Sequence, residues 1–383
     1  MGGTSMKIEQ TQWSELSGWS FGEPGGVRNA HLVLVFAGSE ILQGRGPLDA
    51  VRAAYPHALI AGCSTAGEIK GTQVRDNTLV TTAVEFERTR VSGKCAPLPA
   101  GKHSFDVGEQ LARSLDPNGL AHVLVLSEGV HVNGSDLVRG LTAHLPPTVR
   151  VTGGLSGDGD RFKETLLIFG DRVITRSVAV IGLYGESLRV GCGSLGGWDP
   201  FGPERLITRS RGNVLFELDG ISALTLYKRY LGEHASGLPA TGLLYPLTLR
   251  TQGHDAAVVR TILSVDEEDQ SMTFAGDVPE GAYARLMKAN FNRLVDGAAG
   301  AAKTCHEAIG SCSPDLAVLI SCVGRKMVLK QRIEEEVEAV RDVLGAGAVL
   351  CGFYSYGEIS PFTPNARCEL HNQTMTITTF SER

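Results

Sequence analysis

The sequence has no basic stripe. Its 36 Lys and Arg are outnumbered by 42 Asp and Glu, giving a formal net charge of −6, so the phosphate-neutralising face of a nucleic-acid binder is missing. No apolar run approaches the roughly 18–20 residues that cross a bilayer as one helix, and direct membrane insertion is not expected. The cysteines, Cys63, Cys95, Cys192, Cys305, Cys312, Cys322, Cys351 and Cys368, are scattered with no CxxC pair. That removes the common zinc and thioredoxin-type centres and suits a reducing cytoplasm. The opening MGGTSMKIEQ lacks an apolar h-region and carries Met6 where a myristoylation motif takes Ser or Thr, so neither export nor lipid anchoring is expected. Polar low-complexity tracts are absent too, and with 42% hydrophobic and 20% charged residues the chain is expected to fold as a soluble globular protein.

Complete enzyme motifs are also missing. GCGSLG (191–196) fits GxGxxG but runs into Gly197, Trp198, Asp199 and Pro200 instead of a helix, so the dinucleotide-binding context fails and a bulged strand is expected. Ser64 and Ser156 each lack the glycine two positions on that a GxSxG nucleophile elbow needs. A nucleophilic Cys63 or Cys351 requires a base, and no local signature supplies one. A cysteine-dependent hydrolase is therefore the weakest of the functional readings.

What the chain does have is a repeated loop. GCSTAGEI (Gly62 to Ile69) and GFYSYGEI (Gly352 to Ile359) share Gly, four residues, Gly, Glu, Ile, and GLSGDGD (Gly154 to Asp160) keeps two glycines and an acid at that spacing. With 383 residues the chain fits two or three packed units, since domains run to about 100–200 residues. Each loop ends a similar pass. The first is a buried strand at 31–40, a helix at 47–56, a strand into the loop and a strand at 78–87. The second is a strand at 122–129, a helix at 135–145 stopped by Pro146 and Pro147, then strands around Gly170. The third is a strand at 316–324, a helix at 331–344 with Ile333, Val337, Val340 and Leu344 on one face, the loop, and a terminal strand at 370–380.

Between the second and third passes lie glycine-rich hairpins, a helix at 222–232, further strands, and one long helix or two over 279–309. The expected fold is α/β of the mixed α+β kind, in two domains built from repeated strand–helix–Gly/acid loop–strand units with mixed sheets. A boundary near residue 220 separates an N-terminal segment and domain (1–30 and 31–220) from a C-terminal domain (221–383).

A strand running into a glycine-rich loop exposes backbone N–H groups and makes a natural pocket floor. If the repeats pack as pseudo-symmetric partners, Glu68 and Glu358 come together with Cys63, Ser64, Thr65, Cys351, Tyr354, Ser355 and Tyr356. The alternative is that these are tight turns in which the two glutamates cap N–H groups, and both readings stand at this point. Arg325 follows a strand end, where a guanidinium either clamps a carboxylate or points into solvent. Alternation in LHNQTMTITTF puts His371 on one face with Gln373, Met375 and Ile377. An inward histidine is a hydrogen-bonded core residue or a suitable axial ligand for haem iron. His306 and His254 are its rivals, each with a surface position as the alternative.

GCSTAGEI, GNVLFELDG with ALTLYKRYLG, SCVGRK, GFYSYGEISP and LHNQTMT occur in an order that resembles the FIST family of sensory proteins, with its N- and C-terminal domains, over roughly residues 30–380. LMKANFNRLVDGA and SCVGRKMVLKQRIEEEVEAV are similar to the haem-binding, nitric-oxide-sensing NosP members. The resemblance implies a cytoplasmic ligand sensor without catalysis of its own. It implies haem as cofactor, of the non-covalent b type because no CxxCH is present, and a partner histidine kinase, diguanylate cyclase or phosphodiesterase. The same resemblance admits a FIST module that senses a small polar metabolite such as an amino acid through Glu68, Glu358, Arg325 and loop N–H groups. Self-association into a homo-oligomer is left open.

Overall fold

The computed structural model describes residues 6–20, 22–44, 46–251, 257–310, 313–362 and 366–383. The mixed α/β repeat is present three times. Each unit pairs two parallel strands across a helix and adds an antiparallel third: Leu32–Ala37, Leu59–Ser64 and Thr78–Glu85 in the first, Leu120–Ser127, Arg150–Leu155 and Ser177–Tyr184 in the second. The third unit uses Leu316–Cys322, Val349–Ser355 and Met375–Glu382. A fourth strand flanks the antiparallel one in each sheet: Lys7–Ser14, Arg90–Pro97 and Leu188–Leu195. The central strands are buried on both faces, as parallel strands covered by helices on one side and core on the other must be.

The helices follow from their apolar spacing. Gly46–Ala54 buries Leu48 and Val51, Gly134–His144 buries Leu137, Val138 and Leu141, and Ile333–Leu344 buries Val337, Val340 and Leu344. Asn133 caps the second of these by accepting from the Asp136 N–H at 3.2 Å. The inner faces of all three sheets share one core, in which Leu34 and Phe36 meet Leu124 and Leu126, Val318, Ile320 and Phe353. The Phe36 and Phe353 rings lie 4.7 Å apart, centroid to centroid.

The hairpin after each repeated loop leaves its own unit and pairs with another. The first unit's Glu68–Lys70 pairs with the third unit's Val349–Ser355, the second unit's Leu166–Phe169 with the first unit's Leu59–Ser64, and the third unit's Gly357–Pro361 with the second unit's Arg150–Leu155. The exchange closes on itself, so each sheet edge at this end is covered by a neighbour's hairpin instead of standing open. Strand pairing therefore joins residues on both sides of position 220.

The intervening region is a separate β-rich body inserted between Leu188–Leu195 and the helix Phe291–Ala308. Its strands include Trp198–Arg211, Val214–Leu218, Leu247–Arg250, Val258–Arg260, Ile262–Asp266, Ser271–Phe274 and Tyr283–Ala289, with the helix Ala223–Leu231 packed on them. Leu215, Leu224, Tyr227 and Phe274 form its own core. Residue 220 lies inside it, between Val214–Leu218 and Ile221–Ser222.

Three local expectations are corrected. The 279–309 segment is not helical throughout: YARLMKA is a strand between Trp198–Arg211 and Leu247–Arg250, with Ala284 and Leu286 buried, and the helix begins only after Asn290, whose side chain accepts from Arg293 N–H. Pairing on both sides overrides the local helix propensity. GCGSLG is an unbulged strand in register with Met375–Glu382. Its glycines let a helix lie against it, since a Cβ at Gly191 or Gly193 would stand 2.4 Å from the carbonyl oxygen of Cys305 or Ala301. The terminal strand is broken after His371 by a turn with Gln373 at φ 63°, so alternation does not carry across it. Among the described residues no helix is long and apolar enough to cross a membrane.

Candidate functional site

The repeated loops meet around one axis. The first glycine of each sits against a neighbouring strand: a Cβ at Gly62, Gly153 or Gly352 would fall 1.9, 2.0 or 1.8 Å from the carbonyl oxygen of Val35, Val125 or Leu319. The second copy is therefore anchored at Gly153, one residue before the glycine that sequence spacing selects. Three backbone hydrogen bonds close a ring, from Ala66 N–H to Tyr354 O at 2.9 Å, Gly157 N–H to Ser64 O at 3.0 Å and Tyr356 N–H to Leu155 O at 3.2 Å.

Glu68 and Glu358 occupy matching positions and do matching work. Glu68 accepts from Thr78 N–H at 2.9 Å, Thr78 Oγ1 at 2.8 Å and Thr65 Oγ1; Glu358 accepts from Thr374 N–H at 3.2 Å, Thr374 Oγ1 at 2.9 Å and Ser355 Oγ at 2.6 Å. Burial pushes Glu68 up to about 7 and Glu358 up to about 8, against the pull of these donors. Both are turn caps. In the second unit the matching position holds Leu167, which pairs with Cys63 as Glu68 pairs with Phe353 and Glu358 with Gly154. Asp160 is exposed. Capping there falls to Asp158, which accepts from the N–H groups of Phe162, Lys163 and Glu164 at 2.9, 3.0 and 3.1 Å and from the Tyr356 hydroxyl.

The remaining loop candidates are held inside. Cys63 and Cys351 lie in the shared core, where burial raises the Cys63 thiol and pushes Cys351 up to about 12, the opposite of an activated nucleophile. Ser64 Oγ accepts from Leu166 N–H at 2.8 Å. Tyr354 donates to Glu336 at 2.6 Å. Of these candidates, Thr65 and Glu68 reach the wall of a cleft of about 440 Å³ that also exposes Asp76, Arg161 and Lys326.

Arg325 is neither solvated nor free to clamp a ligand. Its guanidinium is buried against the Glu336 carboxylate, with Nε at 3.0 Å and Nη2 at 2.7 Å, and donates also to Gly196 O at 3.0 Å and Leu294 O at 2.7 Å. Those carbonyls lie on the two strands of chain that lead into and out of the inserted body, so Arg325 pins that joint.

Of the three candidate histidines, His371 and His306 lie among the described residues. His371 donates from Nε2 to Ser360 O at 2.7 Å, and Phe362 packs edge-on against its ring at 4.1 Å. Burial holds it down to about 4, so the ring is neutral. His306 stands in the last turn of Phe291–Ala308 with Nδ1 buried and unpartnered among the described residues. His254 lies outside the described residues. Neither His371 nor His306 lines the cavities described here.

A larger cavity, about 630 Å³, opens where the inserted body meets the second unit. Ser135, Val138 and Arg139 face it from Gly134–His144, Leu249 and Arg260 from the inserted sheet, and Leu370 from the third unit's hairpin. Arg260 is only 6% exposed. Its guanidinium donates to neutral oxygens alone: Asp277 O and Leu370 O at 3.0 Å, Val259 O at 3.3 Å and Ser135 Oγ at 3.4 Å. No carboxylate forms an ion pair with it among the described residues. Of the two acids that act on it through space, Asp277 is engaged by Asn133 at 2.7 Å and Arg139 at 3.2 Å, and Glu369 is exposed. Burial lowers Arg260 to about 10, leaving it charged at neutral pH. A buried cation that no described carboxylate reaches within ion-pair distance, although Asp277 and Glu369 act on it through space, has the charge to attract an anion into the cavity it lines. Sequence reasoning passed over it. The available signal was a lone arginine inside the apolar run VVRTIL.

Two family models match the chain in sequence order. The FIST N domain matches residues 31–221 and the FIST C domain residues 223–361. An uncharacterized protein of Methanocaldococcus jannaschii, MJ1623, is 23% identical over 339 residues, which are 81% of this chain and 62% of that protein; the chain thus spans less than two thirds of that relative's length. The crystal structure of a cyanuric acid hydrolase from A. caulinodans aligns over 99% of both chains at 8% identity with a TM-score of 0.39. With both domain matches in order along one chain, the protein belongs to the FIST family, whose domains are associated with sensory signalling.

Proposed function

We propose that this protein is a non-catalytic cytoplasmic sensor that takes up a small carboxylate metabolite, such as an amino acid, in the cavity beside Arg260. The observation that carries this reading is the buried guanidinium with no direct ion pair among the described residues. A ligand carboxylate supplies a direct partner, Val138, Leu249 and Leu370 accept a hydrocarbon part, and the exposed Glu369 on the same wall suits an ammonium group. Occupancy is felt because the walls belong to different bodies. Gly134 N–H to Ala275 O at 3.1 Å and the Asn133–Asp277 bond at 2.7 Å link them beside the cavity. A ligand gripping both sides binds one arrangement more tightly than another, the condition for shifting a population. A partner histidine kinase or cyclic-di-GMP enzyme reads the shift.

Haem is the rival ligand. Against it, the Nε2 of His371 already donates to Ser360 O, so an iron there would have to displace that bond. Titration calorimetry with a panel of amino acids and small dicarboxylates tests the proposal. At least one carboxylate is expected to bind, and Arg260→Lys, which keeps the charge but loses the fork geometry, weakens it by roughly tenfold or more, equivalent to about 1.4 kcal/mol. A panel without binding, together with a Soret band that shifts on adding nitric oxide, would overturn it in favour of haem.

A further inference from the structure

We propose that the groove between the inserted sheet and the helices Phe291–Ala308 and Val323–Leu329 docks a signalling partner through an acidic, hydrophobic peptide segment. Large exposed apolar side chains are few among the described residues, and two of them, Phe201 at 43% and Phe291 at 46%, line this one groove of about 410 Å³. Leu244 and Val328 floor it, above a small core of Trp198, Met287, Leu294 and Leu329. Apolar surface gathered in a concavity marks an interaction site.

The rim chooses the partner. Lys288 and Lys330 are exposed at its edges, and neither forms an ion pair among the described residues. The Arg332 guanidinium, paired with Glu335 at 2.6 Å, lies 5.6 Å from the Phe291 ring and adds no free charge, so the two lysines carry the rim. A basic rim on a chain of net charge −6 is complementary to carboxylates, and charge complementarity selects partners and speeds their encounter. A lipid surface is the other basic-aromatic partner class. The apolar side chains here line a recess instead of projecting, and the net negative charge opposes an anionic bilayer.

The groove also sits on the joint used by the sensor reading. Phe201 and Lys288 come from the inserted body, Phe291 and Lys330 from the repeated one. Tyr283–Ala289, which carries Lys288, pairs with Leu247–Arg250, whose Leu249 lines the Arg260 cavity. Ligand control of docking rests on the proposed function above; docking itself does not.

A displayed library of random 12-residue peptides, selected on the whole protein, tests it. Enriched peptides are expected to carry Asp or Glu beside Leu or Phe, and to bind Lys288→Glu/Lys330→Glu and Phe201→Ser/Phe291→Ser at least roughly tenfold more weakly. All four side chains are at the surface, so both variants should melt close to the wild type. No enrichment, basic or neutral consensus peptides, unchanged binding to both variants, or tighter binding of wild type to phosphatidylserine vesicles than to the peptides would overturn the proposal. Adding the carboxylate panel to the wild type separates the two readings: peptide binding that the surface variants weaken but that no carboxylate alters keeps the docking surface and removes ligand control.

Discussion

Replacing Arg325 by methionine tests how the inserted body is held. Arg325 and Glu336 are both fully buried, and the pair is joined at 2.7 and 3.0 Å. Without the guanidinium, Glu336 keeps only the hydroxyls of Ser321 at 3.1 Å and Tyr354 at 2.6 Å, and the carbonyls of Gly196 and Leu294 lose a donor. Stranding one member of a buried pair costs about 3–5 kcal/mol, a large part of the about 5–15 kcal/mol that holds a typical fold. At about 2–4 °C per kcal/mol in chains of this order of size, the melting midpoint should fall by roughly 10 °C. Adding Glu336→Gln removes the buried charge but leaves an amide oxygen for Ser321 and Tyr354. The double variant is therefore expected to regain about 1–2 kcal/mol over Arg325→Met alone, although it carries one more substitution. Thermal and urea unfolding at neutral pH, followed by circular dichroism and by tryptophan fluorescence, measure both quantities. A midpoint for Arg325→Met within about 2 °C of wild type, or a double variant less stable than the single, would refute the argument that this pair bears the joint.

Two further outcomes follow from the loops. Glu68 and Glu358 are pushed up to about 7 and 8 from the usual 4.5. The native state therefore holds protons that the unfolded chain gives up, and this stability is complete below about 4.5 and lost as pH rises through 7 to 8. His122 and His371 are held down to about 3 and 4 from 6.5, so their contribution is present above 6.5 and lost as pH falls toward 4. The melting midpoint should be nearly level between about pH 4.5 and 6.5 and decline on either side; Glu358→Gln should flatten the alkaline limb and His371→Gln the acid limb, and a variant that leaves its limb unchanged would remove that group from the account. Among the glycines, Gly352→Ala drives a Cβ to within 1.8 Å of Leu319 O and should cost about 3 kcal/mol or more. Gly159→Ala meets nothing within 4 Å and carries only the strain of φ 76°, about 1 kcal/mol; equal losses of soluble yield and melting temperature for the two would contradict the close-approach reading.

Much of the local architecture is legible in the residues themselves. Short uninterrupted apolar runs rich in β-branched residues, such as LVLVFA and LAVLISC, suit strands covered on both faces, and the three- and four-residue spacing of Val337, Val340 and Leu344 makes a one-sided helix. Two of the repeated loops announce themselves because the same close contact at Gly62 and Gly352 demands glycine in both. The candidate site was far less visible. Arg325 and Arg260 both sit in apolar sequence, and nothing local says which one has a carboxylate within reach.

That difference is decided by chain segments far apart. Glu336 reaches Arg325 because a crossover helix returns over the strand end, whereas Asp277, which shares the cavity wall with Arg260, is claimed by Asn133 and Arg139 from another unit. The same holds for the hairpins, whose strand identity is local but whose partners lie in the next unit, and for YARLMKA, which becomes a strand because sheet neighbours stand on both sides. The sequence by itself determined the repeated strands, helices and tight loops, because hydrophobic period and glycine geometry act within a few residues. Only the tertiary structure decided the exchange of hairpins, the loss of Arg325 to an internal ion pair and the exposure of Arg260 to a cavity, because hydrogen-bond partners and counter-charges are supplied across the fold.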